Sequence, residues 1–138
     1  MPNTRSIRID WTGEGLKFQA EGTDPTTPTV EIDPENETSP GPMLQLLIAA
    51  AGCSGADVVS ILEKMRAGLE SLTIDLTGTR REEHPKRYTA IKYVFRMSGK
   101  DLDETKAARA VSLSLEKYCS VLHTLAPDIE VEHEIIID

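Results

Sequence analysis

The sequence predicts an α+β protein in which an antiparallel sheet accompanies a long buried central helix, with strands and helices in the order ββ-α-ββ-α-β. Three observations predict this class. Period-two alternation of apolar and polar residues recurs in five segments. A long stretch without proline is apolar on almost every side. A second helical stretch separates the last two strands, and the length of 138 residues suits one domain, residues 1–138.

The N-terminal part predicts an antiparallel hairpin followed by a long loop. Residues 5–11 and 15–21 alternate around a glycine-containing break, as hairpin strands do. Residues 23–42 hold five of the eight prolines, which indicates a loop with only a short strand at Thr29–Ile32. Long loops in small domains are usually functional or mobile.

The long helix is predicted from Met43 to about Ala67, after a start signal at Ser39–Pro42 and before Gly68 as its C′ residue. Its first half, "MLQLLIAAAGC", is apolar almost all round, whereas "ADVVSILEKMR" is amphipathic. A helix that is apolar all round needs cover on all sides, and one five-stranded sheet covers one side. The pattern therefore predicts a homodimer in which a second subunit covers the rest.

The C-terminal half predicts a second hairpin, a second helical stretch and a closing strand. "LTIDLTGTR" and "YTAIKYVFRMSG" alternate at period two and flank the charged loop "RREEHPKR". Residues 100–125 form the helical stretch, with Asp103 as the predicted N-cap. "DIEVEHEIIID" alternates again and closes the chain as a strand.

Composition and charge exclude several classes of function. The net charge is −8 and basic groups are interleaved with acids, so neither nucleic acid nor an anionic membrane is an expected partner. The N-terminal segment lacks the apolar core of a secretory signal, and the apolar run from Leu46 to Cys53 is far short of the roughly 20 residues of a membrane span. The expected location is the cytoplasm, where structural disulfides are rare.

Two cysteines, Cys53 and Cys119, are the candidate reactive groups. A reactive thiolate at Cys53 would need a cationic or hydrogen-bonding neighbour from elsewhere in the fold, and Asp57 one turn later would oppose it if it points inward. Cys119 lies either late in the second helix or at the start of a short helix after it, where a helix N-terminus would favour a thiolate. Glu116 and His123 are spaced to share its face.

The plainer interpretation of both cysteines is that they fill the core, because free cysteine is among the most buried residue types. Without a CxxC pair or a nearby histidine pair they also make a poor metal site. The arginines that could activate a thiolate are not distinguished by the sequence: Arg5, Arg8, Arg66, Arg80 and Arg81.

The residues around both cysteines carry a resemblance that spans nearly the whole chain. "SPGPMLQLLIAAAGCSGADVVSILEKMR", "RREEHPKRYTAIKYVFRMSGKDL" and "ARAVSLSLEKYCSV" resemble the OsmC/Ohr family, the osmotically induced and organic-hydroperoxide-resistance proteins. The OsmC-like branch is the closer likeness. The resemblance implies an OsmC-like fold of two interlocked chains, with two active sites at the subunit interface.

The resemblance also implies a chemistry, the thiol-dependent reduction of small organic hydroperoxides. By this resemblance, Cys53 would be the peroxidatic cysteine and Cys119 the resolving one, so both would be catalytic residues. An external dithiol, which in the family can be a lipoyl group, would reduce the resulting disulfide. The resemblance implies no metal and no cofactor such as haem or flavin.

One departure from the family pattern bears on activity. Family members usually carry a glutamate nine or ten residues before the first cysteine, paired with an arginine, whereas this chain has Leu44 and Met43 there. Gln45 is the nearest polar residue and would face another direction on a helix. Two alternatives to a peroxidase therefore stay open: a module that binds an apolar or thiol-bearing small molecule, and a redox sensor with one reversible disulfide.

Overall fold

The computed structural model describes residues 3–23, 26 and 28–138, which form six strands, three α-helices and one π-helical segment. In chain order they are β1 (Ile7–Trp11), β2 (Phe18–Gly22), β3 (Val30–Ile32), α1 (Pro42–Lys64), β4 (Leu69–Arg80), β5 (Tyr88–Gly99), α2 (Glu104–Leu113), the π segment (Ser114–Tyr118), α3 (Ser120–Thr124) and β6 (Glu130–Ile137). The α+β class is confirmed. The chain divides into two compact units, one reaching Leu46 and the other running from Leu47 to Asp138.

The first unit contains the predicted N-terminal hairpin and one further strand. Strands β1, β2 and β3 form an antiparallel sheet in that order, in which Ile7 pairs with Gly22 and Phe18 with Ile32. Both hairpin strands start later than predicted. Strand β1 begins at Ile7, and β2 begins at Phe18 because residues 12–17 form a longer turn in which Gly13 and Gly15 adopt positive φ.

The loop from β3 to α1 is held together by one carboxylate. Asp33 is buried and accepts backbone N–H bonds from Glu35, Glu37 and Thr38 at 2.9–3.0 Å. These bonds, led by the one from Thr38, lower the pKa of Asp33 against the opposing effect of burial. These hydrogen bonds fix the backbone of the loop between Asp33 and Thr38.

The second unit contains a separate sheet in the order β4-β5-β6. Strands β4 and β5 form the predicted antiparallel hairpin, but β6 lies parallel to β5, with Ala90 opposite Glu130 and Met97 opposite Ile137. The prediction of one antiparallel, five-stranded sheet was therefore wrong on two points. The helical connection of residues 104–124 returns the chain to the start of β5, so that β6 runs in the same direction.

Alternate residues of β5 form the centre of this unit's core. Ile91, Tyr93, Phe95 and Met97 are at most 1% exposed, and the rings of Tyr93 and Phe95 stack with centroids 5.3 Å apart. Helix α1 is buried along one stripe, which contains Ala50, Ser54, Gly55, Val58 and Leu62. A Cβ added at Gly55 would lie 3.0 Å from Ile74 Cδ1, so this helix approaches β4 closely. Within the chain, α1 is thus not buried on every side.

The second helical stretch starts as predicted and then changes its winding. Asp103 caps α2 by accepting the Lys106 N–H at 2.8 Å, which confirms the predicted N-cap. From Ser114 to Tyr118 the backbone is π-helical, and Cys119 then leaves the helix before α3 begins at Ser120. Of the two alternatives left open for this stretch, a short helix after the second helix is the one observed.

The end of α1 differs from the prediction that Gly68 is the C′ residue. Arg66 adopts the left-handed conformation with φ +56°, its N–H bonds Glu63 O, and the Ala67 N–H bonds Leu62 O, both at 3.0 Å. This pair of bonds is the Schellman motif, with Arg66 at C′. Gly68 also has positive φ but lies just before β4.

Arg66→Gly is expected to stabilise the protein by about 0.5–1 kcal/mol, because glycine adopts the left-handed conformation without the Cβ penalty. Urea unfolding followed by circular dichroism measures the change as a higher midpoint at unchanged slope. Glu63→Gly, inside the same final turn, is the matched control and should lower stability by about 1 kcal/mol. A lower midpoint for Arg66→Gly would mean that the arginine side chain stabilises the helix end by more than the strain costs.

Candidate active site

The second unit brings the two predicted cysteines into one cluster. The Cys53 Sγ, the Cys119 Sγ and a carboxylate oxygen of Asp57 all lie within 4.8 Å of one another. Both cysteines are free thiols in this structure. Two thiols from segments that are distant in the chain thus lie close together, beside the carboxylate of Asp57.

Helix α1 supplies two of the three groups. Cys53 and Asp57 are four residues apart, so they lie on the same face of the helix, one turn from each other. Both are partly exposed, whereas their neighbours Ser54 and Val58 are buried. Cys53 is therefore the thiol that a small molecule from solvent can reach.

Cys119 reaches the cluster because the π segment ends there. The Cys119 N–H bonds Ser114 O at 2.8 Å, the spacing of a π turn, and its φ and ψ of −69° and 102° are extended. Segments of π-helix occur frequently at functional sites. The residue caps α3, so the second of the two predicted positions for Cys119 is the observed one.

The environment of Cys119 favours the neutral thiol. Burial is the largest effect on its pKa and raises it, whereas hydrogen bonds from Ser54 and the Leu122 backbone lower it less. The Cys53 thiol raises it further as a hydrogen-bonding and electrostatic neighbour. The start of the five-residue helix α3 therefore does not outweigh burial, contrary to the expectation that a helix N-terminus would favour a thiolate here.

A buried network of hydroxyl groups contacts Cys119. The Ser54 hydroxyl donates to Cys119 Sγ at 3.3 Å and lies 2.9 Å from the Tyr93 hydroxyl, which is also 3.4 Å from Ala50 O. Burial raises the pKa of Tyr93 to about 12, opposed by its bond with Ser54, so the phenol keeps its proton at neutral pH. Neither Ser54 nor Tyr93 was predicted, because a serine beside a cysteine and a tyrosine in a strand carry no distinctive sequence signal.

A second serine fixes the carboxylate. The Ser114 hydroxyl lies 2.9 Å from Asp57 Oδ2 and 3.3 Å from Ser54 O, and it is buried. Asp57 therefore points into the cluster, the orientation in which its carboxylate would oppose a thiolate at Cys53. Ser114 is the first residue of the π segment, so one irregular turn positions both Ser114 and Cys119.

The other polar residues singled out in the sequence contact backbone rather than the thiols. His123 places its ring nitrogens 3.0 Å from Cys119 O and 3.1 Å from Glu116 O, so it spans the π segment and α3. Gln45 donates to Glu31 O and Pro40 O, which uses its amide to hold the loop before α1.

Three of the five candidate arginines hydrogen-bond to nearby residues, and Arg8 lies on β1 opposite Glu21. Arg80 bonds Lys86 O and Arg81 bonds Glu83 within the β4–β5 loop, while Arg66 ends α1. Arg5 bonds Asn3 and Thr4 O. Within the described part of the chain, the charges that shift the pKa of Cys119 include no cation.

Comparison with known proteins identifies the family. Residues 34–134 match the family described as OsmC-like protein. The chain belongs to the OsmC-like family. It is 40% identical over 126 residues to Protein YhfA of Escherichia coli strain K12, covering 91% of this chain and 92% of that protein.

Two solved structures show how widely this fold extends. A hypothetical protein from Aquifex aeolicus has 30% identity and a TM-score of 0.84, covering 99% of each chain. The organic hydroperoxide resistance protein OhrB of Bacillus subtilis has 16% identity and a TM-score of 0.62, covering 96% of this chain and 97% of that one. The OsmC/Ohr resemblance inferred from the sequence is confirmed.

Helix α1 is long enough to raise the question of a membrane. Among the described residues it alone has the length and composition to span one, with a mean hydropathy of 1.6 over its best window. The apolar run from Leu46 to Cys53, on which the expectation of no membrane span rested, is only part of this helix. A single such helix is weak evidence for a membrane span, because core helices of soluble proteins pass the same test.

Proposed function

We propose that this protein is a thiol-dependent reductase of small organic hydroperoxides, with Cys53 as the peroxidatic and Cys119 as the resolving cysteine. The observation that carries the proposal is the convergence of the two thiols, one partly exposed and one buried, within 4.8 Å. A peroxidatic thiol must meet the peroxide, whereas a resolving thiol must meet only the oxidised first cysteine.

The reaction balances with the two thiols and an external dithiol. The Cys53 thiolate attacks one oxygen of the O–O bond, the bond breaks, and the alkoxide leaves as an alcohol after taking up a proton. Cys53 is then a sulfenic acid. The Cys119 sulfur displaces its hydroxyl group as water and forms a disulfide, which a dithiol reduces to two thiols while becoming a disulfide itself.

The network around Cys119 suits a resolving role. Its raised pKa keeps it a thiol and spares it from direct oxidation, since the thiolate is the form that peroxides oxidise. The Asp57 carboxylate is the nearby basic group that could take the proton when Cys119 attacks, because its oxygen belongs to the same cluster. Ser114 holds that carboxylate in place through its 2.9 Å bond.

We further infer that the protein is a homodimer and works in the cytoplasm. Proteins of the family are commonly dimeric. In one chain α1 leaves large apolar side chains in solvent: Leu44 is 48% exposed and Ile48 58% exposed. A second subunit would cover them and could bring the cation that the Cys53 thiolate needs. A reducing compartment would keep both cysteines as free thiols.

Ile48→Glu is expected to convert the dimer to monomers at micromolar concentration, because a buried unpaired carboxylate at an apolar interface is strongly unfavourable. Sedimentation velocity measures the mass in solution. Ser60→Glu is the matched control, since it places the same group at an exposed polar position of α1 and should leave the dimer intact. If the wild type sediments as a monomer, or Ile48→Glu remains dimeric, this face of α1 is not the interface.

The test of the proposed activity is the consumption of cumene hydroperoxide and of hydrogen peroxide by the purified protein, with dihydrolipoamide, dithiothreitol or a monothiol as reductant. We expect faster turnover of the organic peroxide, supported by dithiols. Oxidation by one equivalent should also remove two alkylatable thiols per chain. Absence of turnover with every dithiol would contradict the proposal, and thermal stabilisation by a small apolar or thiol ligand would then favour a binding protein.

A further inference from the structure

The thiol cluster contains a third possible metal ligand, the carboxylate of Asp57. Asp57 places a carboxylate oxygen within 4.8 Å of both sulfurs, and all three groups come from fixed backbone positions. Two residues share one face of α1 and the third caps α3. Two sulfurs and one oxygen at one point are a donor set for a metal ion, which the spacing of the cysteines in the sequence did not indicate.

The donor set selects among ions. Thiolates are soft ligands that favour zinc-like ions, whereas calcium and magnesium take oxygen ligands only. In tetrahedral zinc sites, Zn–S bonds of about 2.3 Å and Zn–O bonds of about 2.0–2.2 Å place neighbouring ligand atoms about 3.5–3.8 Å apart. Since the three atoms lie within 4.8 Å of one another, side-chain closure of at most about 1 Å would reach these separations, and three protein ligands would leave the fourth position open.

Hydrogen bonds orient two of the three donors. Ser114 donates to Asp57 Oδ2 at 2.9 Å, which leaves the other carboxylate oxygen for an ion. Ser54 donates to Cys119 Sγ at 3.3 Å and is itself held by Tyr93. Such outer contacts fix ligand orientation in metal sites and are worth roughly 10–100-fold in metal affinity.

We propose that the reduced protein binds one zinc-like divalent ion per chain through Cys53, Cys119 and Asp57, and that the ion holds the thiols inactive until it leaves. Binding replaces the two S–H protons by the ion and releases both to solvent, while no atom is oxidised or reduced. Disulfide formation removes two of the three ligands, so oxidised protein cannot hold the ion. The regulatory part rests on the proposed peroxidase, whereas ion binding does not.

The test uses the full-length reduced protein with Zn²⁺ against a chromophoric chelator, and with Co²⁺ as a spectroscopic probe. We expect one ion per chain, a cobalt–thiolate charge-transfer band, and protection of Cys53, the partly exposed thiol, from alkylation. Cys53→Ser and Cys119→Ser should each abolish the band. Ser114→Ala should weaken Zn²⁺ binding about 10-fold, as expected for an outer contact.

The matched pair Asp57→Asn and Glu63→Gln isolates the third ligand. Both residues are on α1, but Glu63 is exposed and away from the cluster, so only Asp57→Asn should weaken binding. Equal affinity in the two variants, or wild-type protein without the charge-transfer band, would overturn the proposal. Alkylation is measured on the wild-type protein with and without Zn²⁺. This test of ion binding therefore still holds if Asp57→Asn fails to fold.

Peroxide assays on the same samples separate this inference from the proposed function. Turnover by zinc-free protein with no zinc binding would overturn the metal site and keep the peroxidase. Zinc binding that depends on Asp57, without any turnover, would keep the site and remove the peroxidase. Zinc-loaded protein that consumes peroxide at the zinc-free rate would overturn the regulatory part.

Discussion

Cys53→Ser is expected to abolish peroxide consumption, with a loss of at least about a thousand-fold, as is typical when the nucleophile of a catalytic unit is removed. A serine hydroxyl is not ionised at neutral pH and attacks the O–O bond far more weakly than a thiolate. Cys119 cannot substitute for it, because it is buried and its pKa is raised. The measurement is the initial rate of cumene hydroperoxide loss with a dithiol, at equal protein concentrations.

The control is to show that the Cys53→Ser protein folds normally. Cys53 is partly exposed, so the substitution should leave the melting temperature near that of the wild type, and Cys119 should still react with a thiol reagent after denaturation. A folded Cys53→Ser protein that turns over at the wild-type rate would contradict the assignment of Cys53. If turnover then depended on Cys119, the two roles would be exchanged.

Most individual elements of this fold follow from local sequence patterns. Period-two alternation predicted the strands, and in β5 it corresponds to one buried face. Asp103 predicted the start of α2 because a cap acts within one turn. The parallel pairing of β6 with β5 could not be predicted in the same way. Alternation fixes which face of a strand is buried, but the partner and direction depend on the path of a connection of some thirty residues.

Within the second unit, irregular backbone occurs at the points where sequence rules failed. Arg66 occupies a left-handed position that rules assign to glycine, since a Schellman motif tolerates the strain once Leu62 and Ala67 are buried. The π segment from Ser114 has no propensity signal of its own. It forms where Ser114 meets Asp57 and Cys119 meets Ser54, contacts that exist only after the helices pack.

The sequence therefore indicated the two thiols of the candidate site but not the residues that hydrogen-bond around them. Cys53 and Cys119 are rare residues in distinctive motifs, so the sequence named them as candidates, and the structure places their sulfurs in one cluster. Their catalytic roles stay predictions. Ser54, Tyr93 and Ser114 are common residues whose importance comes from burial and from a shared network. The cation that would activate Cys53 stays a prediction, and the dimer proposed above offers one source for it.

Cys119→Ser is expected to stop the reaction after a single oxidation. Cys53 would still cleave the peroxide and become a sulfenic acid, but no neighbouring thiol would convert that acid to a disulfide. We expect a stoichiometric burst of alcohol followed by turnover at a small fraction of the wild-type rate. Mass spectrometry after reaction with a sulfenic-acid-specific nucleophile should find the adduct on Cys53.

The serine at position 119 is close in size to the thiol and can still accept the Ser54 hydrogen bond, so the burst should not be lost through unfolding. The control is the double variant Cys53→Ser with Cys119→Ser, which should show neither burst nor adduct. Wild-type turnover by Cys119→Ser would mean that the external thiol reduces the sulfenic acid directly. In that case Cys119 supports the site without resolving it, and the proximity of the two sulfurs would be explained better by the proposed metal site.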